Sequence, residues 1–170
     1  SGSRTNPWMQ ESSNKIIQEG EIVSFDTDMV GPYGYCADIS RAFVCGNKFN
    51  EYQKKLYQTA VEQIDYNSRL IKAGVTFKEF KEKAWILPEK YYGNRYSVML
   101  HGIGLCDEWP AIRYPTDGGE RGGTFQKNMT ITLESYIGEV GGNEGVKLEQ
   151  QYLVGENGLE LMSHHPLEKI

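Results

Sequence analysis

Five carboxylates and one histidine lie in or beside apolar, strand-like segments of this chain, and they restrict what it can fold into. The segments are IVSFDTD, YCADISRAF, YSVMLHGIGL, MTITLESYI and GVKLEQQYLV. An ionised carboxylate among core-facing strand residues is costly unless a cation neutralises it. We therefore predict one shared, buried metal site, to which the segments contribute Asp26, Asp28, Asp38, His101, Glu134 and Glu149.

Each of these residues taken singly has a simpler explanation, and those explanations stay open. An acidic residue can cap a helix, lead a turn or lie at a solvated strand end, as Asp28 could do before residues 29–31. His101 could be a core histidine with satisfied hydrogen bonds. The joint pattern favours a metal, and oxygen and nitrogen ligands suit Fe, Mn, Zn or Co.

Length, charge and cysteine content exclude several classes of protein. The chain has 170 residues, enough for one domain with a substantial core. Its net charge is −5, and it has no stripe of lysine and arginine that would indicate nucleic acid as a partner. No apolar run reaches the ~18 residues of a membrane span. Three cysteines are too few, and odd in number, for a disulfide framework, so we expect a cytoplasmic protein. We also expect its substrate to be a small molecule.

Turn residues divide the apolar segments into strands. Residues 21–28 and 35–44 are predicted to pair across a turn at residues 31–34. A short strand follows at residues 96–105, and residues 113–127 are predicted to be a surface loop. Two further strands are predicted at residues 129–137 and 146–154, separated by a glycine-rich segment.

Two amphipathic helices are predicted between the strands. Asn50 caps the first, and Gly74 is expected to end it. Its apolar face consists of Leu56, Ala60, Ile64 and Ile71. Thr76 and Glu79 form a capping box for the second helix, which is expected to stop near Pro88. The pattern predicts an α+β fold, a curved and mostly antiparallel sheet with helices on one face.

Four motifs in order carry a resemblance to a known family. FDTDMVGPYGYCADISRAF is similar to its strand pair, HGIGLCDEWP to its histidine segment, and ITLESY and VKLEQQYLV to its two glutamate strands. The chain thus resembles the pita-bread metalloenzymes, which include methionine aminopeptidase, prolidase, Xaa-Pro aminopeptidase and creatinase. This resemblance implies metal ligands at Asp26, Asp38, His101, Glu134 and Glu149.

The resemblance also implies two divalent metal ions. Two adjacent cations need bridging carboxylates, because shared oxygens screen their repulsion. Asp38 and Glu149 are the predicted bridges. The remaining ligands divide into two pairs, Asp26 with Asp28 and His101 with Glu134.

Two departures separate the chain from the peptidases of this family. The peptidases carry a histidine in the segment after the HGIG turn, where this chain has Asp107, and Asp28 is an additional carboxylate. Both departures, together with RTNPWMQE, resemble the metal-dependent dimethylsulfoniopropionate lyases of marine bacteria. That subgroup implies Asp28 as a further metal ligand, Asp107 as the catalytic base and Tyr96 as a substrate contact.

Several alternatives accompany this interpretation. Asp107 could instead cap the turn before Glu108. The chain could be a metallopeptidase of the Xaa-Pro type, or a binding module without catalysis, although a binding module would be expected to lack some ligands. A sulfonium substrate could meet an aromatic ring by a cation–π contact, for which the candidates are Trp8, Tyr96, Trp109 and Tyr136. His164 and His165 are expected to form a solvated turn.

The resemblance also concerns what surrounds the chain. A complete pita-bread domain has another α/β half before its first aspartate strand. Residues 1–170 are therefore interpreted as the C-terminal catalytic part of a longer protein, apparently without its N-terminal half, and the resemblance implies a homodimer.

Overall fold

The computed structural model describes residues 1–46, 48–119 and 122–168. In chain order the strands are β1 (Ile22–Asp26), β2 (Met29–Val30), β3 (Cys36–Ala37), β4 (Ser40–Val44), β5 (Val98–Gly102), β6 (Ala111–Arg113), β7 (Thr130–Gly138), β8 (Gly145–Val154) and β9 (Leu159–Leu161). The α-helices are α1 (Glu51–Ser68), α2 (Phe77–Lys83) and α3 (Glu89–Tyr92). Short 3-10 turns occur at Gly2–Thr5, Pro32–Gly34 and Pro115–Asp117.

All strand pairs within the described ranges are antiparallel, and they form separate sheets. The largest sheet has the order β6-β5-β7-β8-β9, while β1 pairs with β4 and β2 pairs with β3. The β1–β4 pair packs against β8 without sharing a hydrogen-bond ladder with it. The predicted α+β class and the predicted pairing of the first two strand segments are confirmed.

Helix α1 begins where the sequence predicts and ends earlier. Asn50 and Gln53 form a capping box, and Leu56, Ala60 and Ile64 of the predicted apolar face are buried on the helix, which packs against β7 and β8. The expected end at Gly74 is wrong, because the helix stops at Ser68 and the amide of Leu70 turns back to the carbonyl of Asn67. The chain then turns so that the amide of Ala73 reaches the carbonyl of Gly155 at 3.0 Å, which a continued helix would prevent.

Helix α2 is also shorter than predicted. Its capping box of Thr76 and Glu79 is confirmed, but the expected extent to Pro88 is wrong. Ala84 leaves the helix with φ −57° and ψ 147°, and this extended backbone lets Ala84 and Leu87 both pack into the core. Tertiary packing therefore overrides the local helical pattern.

The two faces of strand β7 have different environments. Ser135 donates a hydrogen bond to the side-chain oxygen of Gln63 on α1 at 2.7 Å, so this face lies under the helix. Because side chains alternate along a strand, Glu134 projects from the opposite face. Within the described residues, no helix is both long and apolar enough to cross a membrane.

Arg41 fixes β4 and the C-terminal tail to the central sheet. Its buried guanidinium donates to the carbonyl of Glu149 at 2.6 Å and to side-chain and main-chain oxygens of Gln150 and His165, each at 2.5 Å. These charge-assisted hydrogen bonds hold the backbone beside a predicted metal ligand.

Candidate metal centre

Strand register brings three predicted ligands together on the face of the sheet away from α1. Glu134 of β7 is directly paired with Glu149 of β8, and His101 of β5 is paired with Thr132, two positions from Glu134. Directly paired residues point to the same side of a sheet, as do residues two apart. One carboxylate oxygen of Glu134 and one of Glu149 each lie 3.3 Å from His101 Nε2.

The β1–β4 pair supplies two more predicted ligands. Asp26 ends β1 and Asp38 lies just before β4. The buried Asp38 places Oδ2 3.5 Å from His101 Nε2. Ser40 is paired with Asp26, donates a hydrogen bond to its carboxylate, and lies 3.2 Å from Oε2 of Glu149. Five of the six predicted ligands thus converge where two sheets meet.

A buried lysine that the sequence analysis did not single out belongs to the same cluster. Lys147 is 1% exposed, and its ammonium forms an ion pair with Oε2 of Glu134. The same nitrogen lies 3.6 Å from Asp26 Oδ2 and 3.7 Å from Glu149 Oε2, and it donates to Ser40 Oγ at 2.9 Å. The signal in the sequence was strand alternation, because Lys147 and Ser40 each lie two positions from a predicted ligand.

The cluster perturbs the acidity of its members. Burial raises the pKa of Asp38 to about 8 and that of Glu134 to about 7, although His101 and Lys147 respectively oppose these shifts. Burial also acts to raise the pKa of Glu149, but Lys147, His101 and Asp38 outweigh it and lower that pKa to about 2. The carboxylates around His101 raise its pKa, despite its burial. A region this rich in buried carboxylates favours further positive charge.

The donor atoms fit divalent metal ions. Three groups among the described residues have donor atoms within 4.8 Å of one another, and two of these compact groups consist only of predicted ligands: His101 with Glu134 and Glu149, and Asp26 with Asp38 and Glu149. Among the described residues, the buried atoms Oδ1 of Asp38 and Oγ1 of Thr132 have no hydrogen-bond partner. Orphaned buried oxygens and an all-oxygen-and-nitrogen donor set are what a hard or borderline divalent ion requires. Glu149 belongs to both groups, which favours its predicted bridging role.

Asp28 lies at the outer edge of the cluster. The residue is exposed and belongs to neither compact group. Its carboxyl interacts with that of Asp38, and its pKa is raised, first by desolvation and then by the charges of Asp26 and Asp107. Its role as a ligand therefore stays a prediction.

Asp107 is carried on a loop that folds back over His101. The amide of Gly102 donates to the carbonyl of Pro110 at 2.9 Å, and the amide of Trp109 donates to the carbonyl of Gly102 at 3.2 Å. A Cβ at position 102 would lie 2.3 Å from the carbonyl oxygen of Trp109, so only glycine permits this approach. The half-buried Asp107 has a carboxylate oxygen within 4.8 Å of donor atoms of Asp38 and His101.

The turn-cap alternative for Asp107 is also visible. Its Oδ1 accepts a hydrogen bond from the amide of Glu108 at 3.0 Å, and Glu108 has a positive φ of 55°. One carboxylate oxygen therefore stabilises the loop. Because a carboxylate has two oxygens, this contact leaves the other for chemistry.

The aromatic residues predicted as candidates for a cation–π contact with the substrate lie in different environments. The half-buried Tyr96 has its ring centroid 5.1 Å from Nζ of Lys147, and burial raises the pKa of its hydroxyl to about 12. Tyr136 has a structural role, because its buried hydroxyl donates a hydrogen bond to the carbonyl of Thr5 at 2.7 Å. Trp8 packs near Tyr136, with ring centroids 6.3 Å apart. His164 and His165 are exposed in the tail, as expected for a solvated turn.

Comparison with known proteins identifies the family. The family model for Metallopeptidase family M24 matches residues 1–156. The chain belongs to this family. Its structure resembles the prolidase from Pyrococcus horikoshii OT3 with a TM-score of 0.82 and 27% sequence identity, covering 99% of this chain and 47% of that one. The pita-bread fold predicted from the four motifs is thus confirmed.

Two kinds of relative are similar in sequence to this M24 chain. Dimethylsulfoniopropionate lyase DddP from Roseovarius nubinhibens is 41% identical over 171 residues, covering 99% of this chain and 38% of the lyase. The Xaa-Pro dipeptidase from Pyrococcus horikoshii is 32% identical over 164 residues, covering 94% of this chain and 44% of the dipeptidase. The chain therefore spans less than half the length of either relative.

Proposed function

We propose that the protein to which this chain belongs is a metal-dependent lyase that cleaves dimethylsulfoniopropionate to dimethyl sulfide and acrylate. The observation that carries this proposal is the position of Asp107, a carboxylate beside His101 on the loop where the peptidases of the family carry a histidine. Of the three histidines in the chain, only His101 belongs to a candidate metal group in the described ranges. The 41% identity to a dimethylsulfoniopropionate lyase supports the same conclusion.

The proposed metal site holds two divalent ions. Asp38 and Glu149 would bridge them, Asp26 and Asp28 would complete one, and His101 and Glu134 would complete the other. Such ions, when bound, would hold the substrate carboxylate and would stabilise the negative charge that develops on it.

Asp107 would act as the base. Its carboxylate removes a proton from the carbon next to the substrate carboxylate. The electron pair of that C–H bond forms the new carbon–carbon double bond, and the C–S bond breaks with its electrons leaving on sulfur. The products are acrylate and neutral dimethyl sulfide, and Asp107 then releases its proton to solvent. Tyr96 would contact the sulfonium group with the face of its ring.

The decisive experiment compares the full-length, metal-loaded protein with its Asp107→Asn variant. Headspace dimethyl sulfide is measured after addition of dimethylsulfoniopropionate, together with the bound metal of both proteins. The variant should keep its metal and lose elimination by a factor of at least about 100, because an amide cannot accept the proton. Release of dimethyl sulfide by the variant at the parental rate would rule out Asp107 as the base.

A metallopeptidase of the Xaa-Pro type is the second candidate function. It is favoured by the structural likeness to the prolidase from Pyrococcus horikoshii and by 32% identity to the Xaa-Pro dipeptidase of that organism. Hydrolysis of an X-Pro dipeptide by the same metal-loaded protein, without release of dimethyl sulfide, would establish this candidate instead.

A further inference from the structure

We propose that Lys147 is a positioning residue that supplies a permanent positive charge to the metal centre and aligns Tyr96 with it. This inference rests on the proposed metal site but not on the identity of the substrate. A fully buried ammonium is costly unless several acceptors compensate it. Within the described part of the chain, Lys147 finds such acceptors in the cluster, where it contacts Asp26, Glu134, Glu149 and Ser40.

Lys147 reduces the excess negative charge of the proposed site. Asp26, Asp28, Asp38, Glu134 and Glu149 carry five negative charges when ionised, Asp107 as the base adds a sixth, and a neutral histidine ligand adds none. Two divalent ions would supply four positive charges, so two negative charges would remain, and the ammonium of Lys147 neutralises one of them. This charge matters because Asp38, Glu134 and Glu149 are buried, in a region of low effective dielectric.

The carboxylate oxygens divide between two partners. His101 Nε2 lies 3.3 Å from Oε1 of Glu134 and 3.3 Å from Oε1 of Glu149. The ammonium of Lys147 takes the Oε2 atoms of the same two glutamates. Both oxygens of each glutamate therefore lie near a basic nitrogen, which restricts the rotation of the carboxylate. Lys147 thus contributes to the orientation in which the carboxylates would meet a metal ion.

Lys147 also joins the carboxylates to the proposed substrate contact. Its nitrogen lies 5.1 Å from the ring centroid of Tyr96, within the range of a cation–π interaction. The ammonium thus contacts the ring of Tyr96 as well as the ligand carboxylates. Loss of the charge should therefore remove a contact that orients the ligand carboxylates and a contact that orients the ring of Tyr96.

The test uses Lys147→Met and Lys147→Arg in the full-length protein. Methionine keeps the unbranched apolar stem and removes only the charge, whereas arginine keeps the charge. With chelator present, Lys147→Met should lower Tm by roughly 5–10 °C, because it leaves buried carboxylates unpaired. Saturating Mn²⁺ should reduce that difference by at least half, because added cations replace the missing charge. Lys147→Arg should lie closer to the parent under both conditions.

The matched control is Lys127→Met. Lys127 pairs with Glu156 at 2.8 Å, but both side chains are more than half exposed. Exposed pairs contribute little to stability, so Tm of this variant should follow the parent with and without Mn²⁺. A double-mutant cycle of Lys147→Met with Tyr96→Leu then measures coupling through the Kd for Mn²⁺. Non-additive effects are expected, and strict additivity would overturn the alignment of Tyr96.

The outcomes separate this inference from the proposed function. A parent that binds Mn²⁺, with a Lys147→Met variant equal to it in Tm under both conditions, would overturn the role of Lys147 alone. A difference in Tm that does not change with Mn²⁺ would reduce Lys147 to a packing role and also overturn the inference. A parent that binds no metal would refute the metal site, and the chelated comparison would still decide whether Lys147 neutralises the carboxylates.

Discussion

Glu134 and Glu149 lie directly opposite each other in the β7–β8 pair, and one oxygen of each lies 3.3 Å from Nε2 of His101. Three neighbouring strands thus converge on one point through the sheet register. A one-residue slip in any of them would turn its ligand to the face covered by α1. The positions of these ligands are therefore fixed by the same hydrogen bonds that stabilise the sheet.

Glu149→Gln should weaken metal binding more than a change at any outer residue. Glu149 belongs to both compact donor groups, and an amide oxygen carries no charge to share between two cations. We expect the affinity for Mn²⁺ to fall by at least about tenfold, measured by calorimetry on the full-length protein. Glu156→Gln, an exposed change in a surface ion pair, is the control. Equal affinities of Glu149→Gln and the parent would contradict the site.

Asp28→Ala tests whether the exposed carboxylate is a ligand. If Asp28 binds a metal, the variant should hold less metal at saturation, while circular dichroism shows an intact fold. Asp28 lies outside the buried core, so its removal creates no cavity. A variant with the full metal content of the parent would show that Asp28 is not a ligand and would favour the alternative, that it leads a turn.

Metal binding should strengthen as pH rises through the range 6–8. Burial raises the pKa of Asp38 to about 8 and that of Glu134 to about 7, so protons compete with metal at these carboxyls near neutral pH. Calorimetry in buffers with different ionisation enthalpies should detect proton release on binding of Mn²⁺. Binding without proton release would show that these carboxyls are already ionised.

The same two raised pKa values should make the metal-free, chelated protein less stable as pH rises, whereas metal binding strengthens over that range. A carboxyl whose pKa is raised by folding holds more protons in the folded state than in the unfolded state, from about pH 4 up to its folded pKa. Asp38 and Glu134 should therefore make Tm fall as pH rises towards about 8. Glu149, with its pKa lowered to about 2, contributes the reverse slope only below about pH 4.5. A Tm that rises between pH 6 and 8 would contradict these shifts.

Gly102→Ala should displace the loop that carries Asp107. The added Cβ would lie 2.3 Å from the carbonyl oxygen of Trp109, so the backbone has to move. We expect elimination of dimethyl sulfide to fall by at least about tenfold, because general-base catalysis depends on placement of the base. Gly158→Ala is the control, since a Cβ there meets no atom within 4 Å. Unchanged turnover by Gly102→Ala would separate the loop from catalysis.

The sequence predicted the parts of the fold that depend on local signals. The predicted cap at Asn50 and the predicted capping box at Thr76 are confirmed, because each depends on residues three positions apart. The ends of both helices were wrong, since they depend on distant partners such as the carbonyl of Gly155. Local pattern cannot contain that information.

The candidate site, too, was predicted where local sequence patterns determine it and missed where tertiary contacts do. Alternation along single strands grouped the acidic residues, and the convergence of Asp26, Asp38, His101, Glu134 and Glu149 follows from it. Lys147 was missed because a lysine in a strand is ordinarily a solvent-exposed residue. Only the register of β8 beside β7, together with the docking of the β1–β4 pair, turns it inward. That arrangement is a product of tertiary structure.

The cluster takes its ligands from two sheets that are hydrogen-bonded independently. Asp26 and Asp38 come from the first quarter of the chain, whereas Glu134 and Glu149 come from its last quarter. Each sheet can therefore form by its own pairing while the ligand set remains divided. A folding intermediate with both sheets formed but not yet docked would have native circular dichroism and would bind Mn²⁺ no better than scattered surface carboxylates. High-affinity metal uptake is thus a specific signal of the final assembly step.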